Sequence, residues 1–425
     1  NLFVPFSECQ AEFASIDDLE NQMPDSIFYQ NAGTNNKFDG AAQFKRTLNS
    51  MYIQDDWTVS DAVTVTTGLR YDWISMNTAP AFNQAVVDRF NLPNDTNFDG
   101  LSLLQPRVGM NWDVTERLNI TAGAGRFSGG DPSVWLSNSF SNTGFLPGSS
   151  FSDDPAVING FDGFNLPTEM QDQVASSAAA GTGATSLVDI DYTMSSIWRF
   201  TFGAKYVADL SAIGLGDDWD FGVDFLYNIQ ENPNIWQNLD LGVIGTAPDG
   251  RPIYNSQFDY GNGGVLLLTN SDTKPKTKVI SGYFAKEFEK DRFTAKIYGG
   301  YAYTDAEDVN PGTSSTQQSN FENVAAIDYN NPIVARSNYG LTHAFTGRID
   351  LGYEFIKDLK TRISLTGQLN SGKPFSYTFD TSGSSSGDAV AGGTNLFGDS
   401  DRSEDRSLLY VPSGPGAMDD PLVAY

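Results

Sequence analysis

Histidine and cysteine, which often carry metal or nucleophilic chemistry, each occur once in this 425-residue chain, as His343 and Cys9. A zinc site made of several histidines or cysteines therefore cannot form within the chain, and neither can an internal disulfide framework. Any histidine-based catalytic triad would have to use His343. We expect His343 to be a rim residue at the outer end of a strand and Cys9 to be an inert thiol. The sequence therefore predicts neither an enzyme nor a cofactor.

Oxygen-bearing side chains at alternate positions form a candidate calcium site at Asp95, Asn97 and Asp99, followed by Gly100. This spacing matches the first half of an EF-hand loop. A bidentate Glu belongs at the twelfth position of such a loop, which here is Pro106. We therefore interpret the segment as a turn rich in Asp and Asn, with a calcium loop as the alternative.

Aromatic residues in the long polar segments are the candidate ligand-binding residues: Trp135, Phe140, Phe145 and Trp236. Their rings could contact a bound ligand. The alternative, which we favour, is that they pack together and hold the loops in place.

The overall composition excludes several classes of protein. The chain has 53 acidic and 26 basic residues, a formal net charge of −27, which argues against nucleic acid and anionic lipid as partners. The composition also excludes an intrinsically disordered chain, because the side chains of 29 Phe, 18 Tyr and 7 Trp must be buried or immersed in lipid. The most apolar run, residues 265–268, is too short for a membrane helix. A membrane protein of this sequence would have to be a β-barrel.

A period-2 alternation of apolar and polar residues is the strongest pattern in the chain. In residues 345–355, for example, Phe345, Ile349 and Tyr353 fall on one face of a strand, and Arg348 and Asp350 fall on the other. A soluble β-sandwich also alternates, but its strands are about 5 to 6 residues long. Many runs here reach roughly the 9 to 11 residues that cross a bilayer. Similar runs occupy residues 63–73, 107–114, 198–206, 219–230, 293–303 and 363–369.

The connections between these runs alternate between short and long. Outer-membrane barrels have short periplasmic turns and long extracellular loops, so the alternation assigns a side to each connection. We predict about ten transmembrane strands, from near residue 46 to near residue 379, and an eleventh beginning near residue 406. We also expect residues 219–241 and 265–288 to form a hairpin that projects above the membrane. Aromatic residues at the short turns would form an interfacial girdle, namely Trp57, Trp112, Phe288, Phe293, Tyr353 and Phe355.

The charged face of the strands is expected to point into the barrel. Turning residues 345–355 over would place Arg348 in hydrocarbon, at a cost of about 2 to 4 kcal/mol at the midplane. The aromatic face must therefore meet outer-membrane lipid. The predicted lumen-lining residues are Arg70, Asp72, Arg107, Asp220, Asp224, Arg348, Asp350 and Glu354.

Two segments carry a resemblance to a known family. Residues 52–57 read YIQDDW and residues 67–72 read TGLRYD, which resembles a hairpin of TonB-dependent outer-membrane receptors. The Oar-like branch of that family is similar at five further segments, namely residues 99–107 (DGLSLLQPR), 125–130 (GRFSGG), 134–138 (VWLSN), 369–377 (LNSGKPFSY) and 408–412 (LLYVP).

The resemblance implies a barrel of about 22 strands, an N-terminal plug in its lumen and energy coupling through the TonB complex. The sequence departs from that pattern, because it has no recognisable plug or coupling box and about half the strands. Its first residues also lack the features of a secretory signal, so either the chain is cytoplasmic or its beginning is missing. We expect both ends of the natural protein to be missing.

These observations lead to one interpretation and one alternative. The interpretation is an all-β, antiparallel, up-and-down barrel of the Gram-negative outer membrane that acts as a TonB-dependent transporter or receptor for an unknown extracellular ligand or surface protein. The alternative is a passive porin or an adhesin barrel without energy coupling. The expected parts are an extracellular loop segment at 1–45, barrel strands and loops at 46–413, and a truncated segment at 414–425.

Overall fold

A computed structural model describes residues 8–129, 133–145, 148–159, 161–162, 165–257, 264–357, 359–378 and 406–409. In chain order, its strands are β1 Glu8–Glu12, β2 Ser26–Asn31, β3 Arg46–Ser60, β4 Val63–Met76, β5 Ser102–Thr115, β6 Leu118–Ser128, β7 Gly148–Ser152, β8 Thr185–Val188, β9 Ser196–Ala208, β10 Trp219–Glu231, β11 Asn234–Asn238, β12 Leu241–Thr246, β13 Pro252–Ser256, β14 Val265–Asn270, β15 Lys276–Lys290, β16 Phe293–Asp308, β17 Ala335–Arg336, β18 His343–Ile356 and β19 Leu359–Asn370.

The helices are short and lie in the connections between strands. They are α1 Ile16–Glu20, α2 Gln84–Phe90, α3 Ser133–Ser141, α4 Pro155–Ile158, α5 Thr168–Ala180 and α6 Gln317–Glu322, with a 3₁₀ turn at Ser211–Ile213. Within the described ranges, no helix combines the length and apolar character needed to cross a membrane.

Ten long strands form one antiparallel meander in which each strand pairs with the next long strand along the chain. The order is β3, β4, β5, β6, β9, β10, β15, β16, β18 and β19, and β17 pairs with the end of β16. The shortest of the ten, β6, has 11 residues and the longest, β16, has 16. The predicted all-β, up-and-down architecture is thus confirmed, and its strands have the length that crosses a bilayer.

The sheet is not closed into a full barrel in the described part of the chain. β3 pairs only with β4 there, and β19 pairs only with β18. The last long strand ends at Asn370, earlier than the predicted end near residue 379, and the next residue, Ser371, still donates to the carbonyl of His343 at 2.8 Å. Residue 379 and most of the predicted eleventh strand lie outside the described residues, and a barrel of about 22 strands stays a prediction.

Short connections lie at one end of the sheet and long ones at the other. Two residues join β3 to β4, β5 to β6, β15 to β16 and β18 to β19. Register shifts occur just before three of these turns, at Thr58/Ser60, Asp113/Thr115 and Glu354/Ile356, and such bulges tighten the local twist. The four long connections follow β4, β6, β10 and β16.

The long connections fold into a layer with its own small sheets and cores. β1, β2 and β7 form one sheet, β11, β14 and β8 a second, and β12 and β13 a hairpin. The predicted hairpin of residues 219–241 and 265–288 pairs along most of its length, but β10 and β15 do not run through it without a break. They break at residues 232–233 and 271–275, where Asn232 has φ of 52°, and continue as the separate pair β11 and β14.

One hydrophobic core joins all four long connections, and we call this layer the loop cap. Its members come from after β4 (Phe98), after β6 (Trp135, Leu136), after β10 (Trp236, Leu268) and after β16 (Phe321, Tyr329). Two smaller clusters lie beside it, around Ile27 and Met170 and around Val86 and Leu187. Residues 8–45 contribute β1, α1 and β2 to this layer, whereas residues 414–425 lie outside the described residues.

Candidate functional site

All eight predicted lumen residues lie on one face of the ten-stranded sheet, which we call the charged face. Residues directly opposite in an antiparallel pair share a face. On β3 to β6 the pairs Tyr52 with Arg70, Arg70 with Gln105 and Asp72 with Leu103 establish that face. The same face continues across the remaining strands. It contains the directly opposite pairs Arg107 and Gly125, Gly125 and Arg199, Gly203 and Asp224, Val207 and Asp220, Lys296 and Asp350, Tyr298 and Arg348, and Glu354 and Lys360.

Near the loop cap, the charged face carries a buried carboxylate. Asp72 is 3% exposed, and its two oxygens accept hydrogen bonds from Arg70 Nε at 2.8 Å and from Gln105 Nε2 at 2.6 Å. The guanidinium of Arg70 also donates to Ser50 at 2.9 Å. A buried charge needs such partners because an unpaired carboxylate loses its solvation.

At the other side of the sheet, a second ion pair lies on the charged face. Arg348 Nε is 2.8 Å from Asp350 Oδ2, and Ser364 donates to the same carboxylate at 2.5 Å. Next to it, Lys296 and Glu287 are 2.7 Å apart. Opposite charges therefore meet across three neighbouring strands, as expected for a polar barrel interior.

The opposite face is apolar and remains exposed. Phe345 is 48% exposed and Phe355 is 68% exposed, values that a soluble protein would not tolerate across a whole sheet. By the register, the six predicted girdle residues all belong to this face, close to the short turns. The register also places charged residues on this face, namely Asp55, Lys286 and Lys290 towards the short turns and Arg126, Glu231, Lys276, Lys278, Asp305 and Glu307 towards the loop cap. Lys286 reaches the backbone carbonyl of Asp217 at the short-turn end.

The loop cap rests on the charged face and not on the apolar face. Ile74, two residues beyond Asp72 on the same face, is 1% exposed and belongs to the cap core. Leu103, directly opposite Asp72, is 4% exposed and belongs to the same core. The cap therefore covers the end of the charged face away from the short turns.

The predicted ligand-binding aromatics lie inside the loop cap or against it. Trp135 is 8% exposed and Trp236 is 1% exposed, and their rings meet edge to face with centroids 4.7 Å apart. Phe140 stacks on Phe44 at 4.8 Å, and Phe145 lies close to Gly181. Burial of this kind favours the alternative role, in which the rings hold the loops together.

The candidate calcium residues make backbone contacts. Asn97 Nδ2 donates to the carbonyl of Thr78 at 2.7 Å, and its own side-chain oxygen accepts from Asp99 N at 2.8 Å. Asp99 Oδ1 accepts from Met76 N at 2.7 Å, which ties the turn to the end of β4. Asp95 is half-buried beside them. In the described ranges, no group of three His, Cys, Asp or Glu residues is arranged to hold a metal ion.

His343 and Cys9 lie far from one another in the chain. His343 begins β18, where its Nδ1 is 2.9 Å from the hydroxyl of Tyr301, and by the register it belongs to the apolar face. Cys9 is an exposed residue of β1.

Several contacts could not be read from sequence, because they join distant connections. Arg406 stacks between the rings of Phe321 at 4.2 Å and Tyr329 at 4.1 Å. Tyr254 donates to Asp328 at 2.6 Å, and burial first, then this hydrogen bond to a carboxylate, raise the pKa of Tyr254 above its ordinary value. A lone arginine between polar residues gives no sequence signal for such stacking.

A match to a protein-family model supports the architecture. Residues 19–206 match the family model described as an outer membrane beta barrel domain, which is less than half of the chain. No curated protein matches the chain. Among solved structures, the chain is similar to the siderophore receptor PirA from Pseudomonas aeruginosa, with 10% identity, a TM-score of 0.37, and coverage of 81% of this chain and 44% of that one.

Two further solved structures are similar at the same level. The FrpB iron transporter (F3-3 variant) from Neisseria meningitidis has 11% identity, a TM-score of 0.38, and coverage of 81% and 40%. The ferric enterobactin receptor PfeA of Pseudomonas aeruginosa has 12% identity, a TM-score of 0.40, and coverage of 80% and 38%. The chain thus spans less than half the length of each. From the family-model match and the sheet with one apolar and one charged face, this is an outer-membrane β-barrel chain of a Gram-negative cell.

Proposed function

We propose that the chain forms part of a TonB-dependent transporter or receptor of the Oar-like branch, whose charged face lines a lumen and whose loop cap faces the cell exterior. The observation that carries the proposal is the loop cap, in which all four long connections share one hydrophobic core over the charged face. The resemblance at residues 52–57 and 67–72 supports the family assignment.

The loop cap favours a gated receptor over a passive porin. Long connections that only extended a pore wall would not need buried residues such as Leu136 and Leu268, both 0% exposed. A shared core holds the connections together over the lumen, and opening a path for a solute then requires a conformational change. Gating of that kind fits a transporter that uses energy from the inner membrane.

The orientation of the sheet is tested by cysteine labelling in a Cys9→Ser background. Single cysteines replace Thr346 on the charged face and Ile349 on the apolar face, both on β18. With the full-length protein in lipid vesicles, a small water-soluble maleimide should label the Thr346→Cys variant. It should leave the Ile349→Cys variant unlabelled. The opposite pattern would overturn the assignment of the charged face to the lumen.

Energy coupling is tested separately with the full-length protein. In planar bilayers, we expect no steady conductance, because the lumen is covered. The purified periplasmic domain of TonB should bind the detergent-solubilised protein. A steady open-pore conductance together with no TonB binding would favour the passive porin and overturn the proposal.

A further inference from the structure

Arg107 differs from the other predicted lumen arginines in what its guanidinium contacts. Arg70 and Arg348 each bind an aspartate two residues along the same strand. Within the residues that the structure describes, Arg107 has neither a hydrogen-bond acceptor nor a carboxylate in reach of its guanidinium. Its guanidinium contact is the ring of Phe127, whose centroid is 5.5 Å away. In the described part of the chain, no anion therefore balances the charge of Arg107.

Two glycines hold the side chain of Arg107 against the sheet. Gly68 and Gly125 are the residues directly opposite Arg107 on the two neighbouring strands. A Cβ at Gly68 would lie 3.0 Å from Arg107 Cγ, and a Cβ at Gly125 would lie 3.0 Å from Arg107 Cβ and 3.1 Å from the Phe127 ring. A side chain at either position would require Arg107 or the Phe127 ring to shift, so the two glycines leave room for Arg107 to lie along the sheet.

A second arginine lies near Arg107, although the chain as a whole carries a net charge of −27. Arg199 lies over the same Phe127 ring at 5.8 Å and donates to Asn228 at 3.1 Å. One row of directly opposite residues runs across six strands and contains two arginines and no acid, namely Gln54, Gly68, Arg107, Gly125, Arg199 and Asn228. The nearby carboxylate of Asp72 already binds Arg70 and Gln105.

A polar pocket of about 190 Å³ opens beside the Arg107 side chain. Its lining includes Tyr52, Gln54, Arg70 and Arg107, all on the charged face. A water molecule occupies about 30 Å³ in the liquid, so the pocket has room for a small carboxylate with some water. The planar fork of an arginine binds a carboxylate through two parallel hydrogen bonds.

We propose that Arg107 is the centre of an anion site on the charged face, which binds a carboxylate. The positive charge of Arg199 strengthens it, and the side-chain amide of Gln54, which also donates to Asp56 at 3.3 Å, supplies a further donor. The carboxylate comes either from a dissolved organic acid passing through the lumen or from an acidic side chain of another segment of the protein. The inference rests on the proposed function, because it requires the charged face to line an enclosed lumen.

The test observes the arginine Nε–Hε signals of the full-length, ¹⁵N-labelled protein in detergent micelles by NMR. Succinate is titrated at constant ionic strength, with sodium chloride as the reference titration. The Arg107→Lys variant identifies the Arg107 signal by its loss. The matched control is Arg348→Gln, on the same face but paired with Asp350, and the Arg348 signal should not move with succinate.

Two outcomes support the site and distinguish the sources. A saturable shift of the Arg107 signal with succinate, absent with chloride, identifies a dissolved carboxylate. A second pattern identifies a carboxylate of the protein itself. In that pattern, a hydrogen bond already shifts the Arg107 signal before the titration, and succinate does not move it. The Arg107→Gln variant then loses the signal and has a lower melting temperature.

An Arg107 signal at the position of a solvated arginine, unmoved by succinate, overturns the anion site. That failure differs from failure of the proposed function. If the Thr346→Cys variant is labelled from water while Arg107 behaves as a solvated arginine, the lumen assignment stands and only the site is lost.

Discussion

Arg117 and Asp217 form a bidentate ion pair across the short-turn end of the sheet, although 100 residues separate them in the chain. The two N–H groups of the guanidinium donate to the two carboxylate oxygens at 2.6 and 2.7 Å. Arg117 lies in the turn between β5 and β6, and Asp217 lies in the connection between β9 and β10. The pair links two hairpins that are neighbours in the sheet through β6 and β9.

This pair predicts a pH dependence of stability. The hydrogen bond from Arg117 lowers the pKa of Asp217 to about 2 from its ordinary value of 3.8. The stabilisation is therefore fully present above pH 3.8 and is lost as the pH falls from there towards 2. We expect Asp217→Asn to remove this part of the acid dependence of the unfolding midpoint in detergent. Asp218→Asn is the matched control, and an equal change in that variant would contradict the prediction.

The edge-to-face pair Trp135 and Trp236 should stabilise the loop cap. Replacing either buried indole with alanine leaves a large cavity, which costs about 3 to 5 kcal/mol in folded cores. We expect Trp236→Ala to increase hydrogen exchange throughout the four long connections while the ten long strands remain protected. Phe151→Ala, at a residue that is 60% exposed, should leave exchange unchanged. A Trp236→Ala variant with native exchange would show that the indole does not stabilise the cap.

A charged residue placed on the apolar face in the middle of a strand should destabilise the folded protein. Ile349, in the middle of β18 and 44% exposed, is expected to contact lipid chains. Ile349→Arg should lower stability by about 2 to 4 kcal/mol, the cost of an arginine at the bilayer midplane. The readout is the fraction of protein that keeps heat-modifiable migration after folding into vesicles. Thr346→Arg, three residues away on the charged face, should fold as well as the parent, and equal losses in both variants would argue against a membrane location for this face.

The open edges β3 and β19 should pair with strands other than each other. A bilayer offers no hydrogen bonds to an exposed sheet edge, so both edges need a partner. In a Cys9→Ser background, cysteines at Ser50 on β3 and at Ser364, Thr366 or Gln368 on β19 are not expected to form a disulfide in the full-length protein. The control pair Asn111→Cys and Thr121→Cys, directly opposite on β5 and β6, should oxidise readily.

A disulfide between β3 and β19 in a monomer would mean that the ten strands close on themselves. The expectation of about 22 strands would then be wrong. If the β3–β19 disulfide is absent while the control pair oxidises, the result agrees with a larger barrel in which both edges pair with other strands.

Some features were predictable because they depend on neighbours along the chain. The alternation of Phe345, Ile349 and Tyr353 with Arg348 and Asp350 fixed both faces of β18, since successive strand residues point to opposite sides. The same rule placed Arg70, Arg107 and Asp224 on the charged face correctly. The lengths of the connections likewise indicated which strand ends carry short turns, because hairpin pairing needs only local sequence.

Other features were decided only by tertiary structure, because they depend on residues that the chain brings together from far apart. Sequence alone could not show whether Trp135 and Trp236 would bind a ligand or form a core, since burial depends on how four connections fold over one another. It also could not show that Gly68 and Gly125 lie directly opposite Arg107 on the two neighbouring strands. The register between strands sets those neighbours, and register is a property of the assembled sheet.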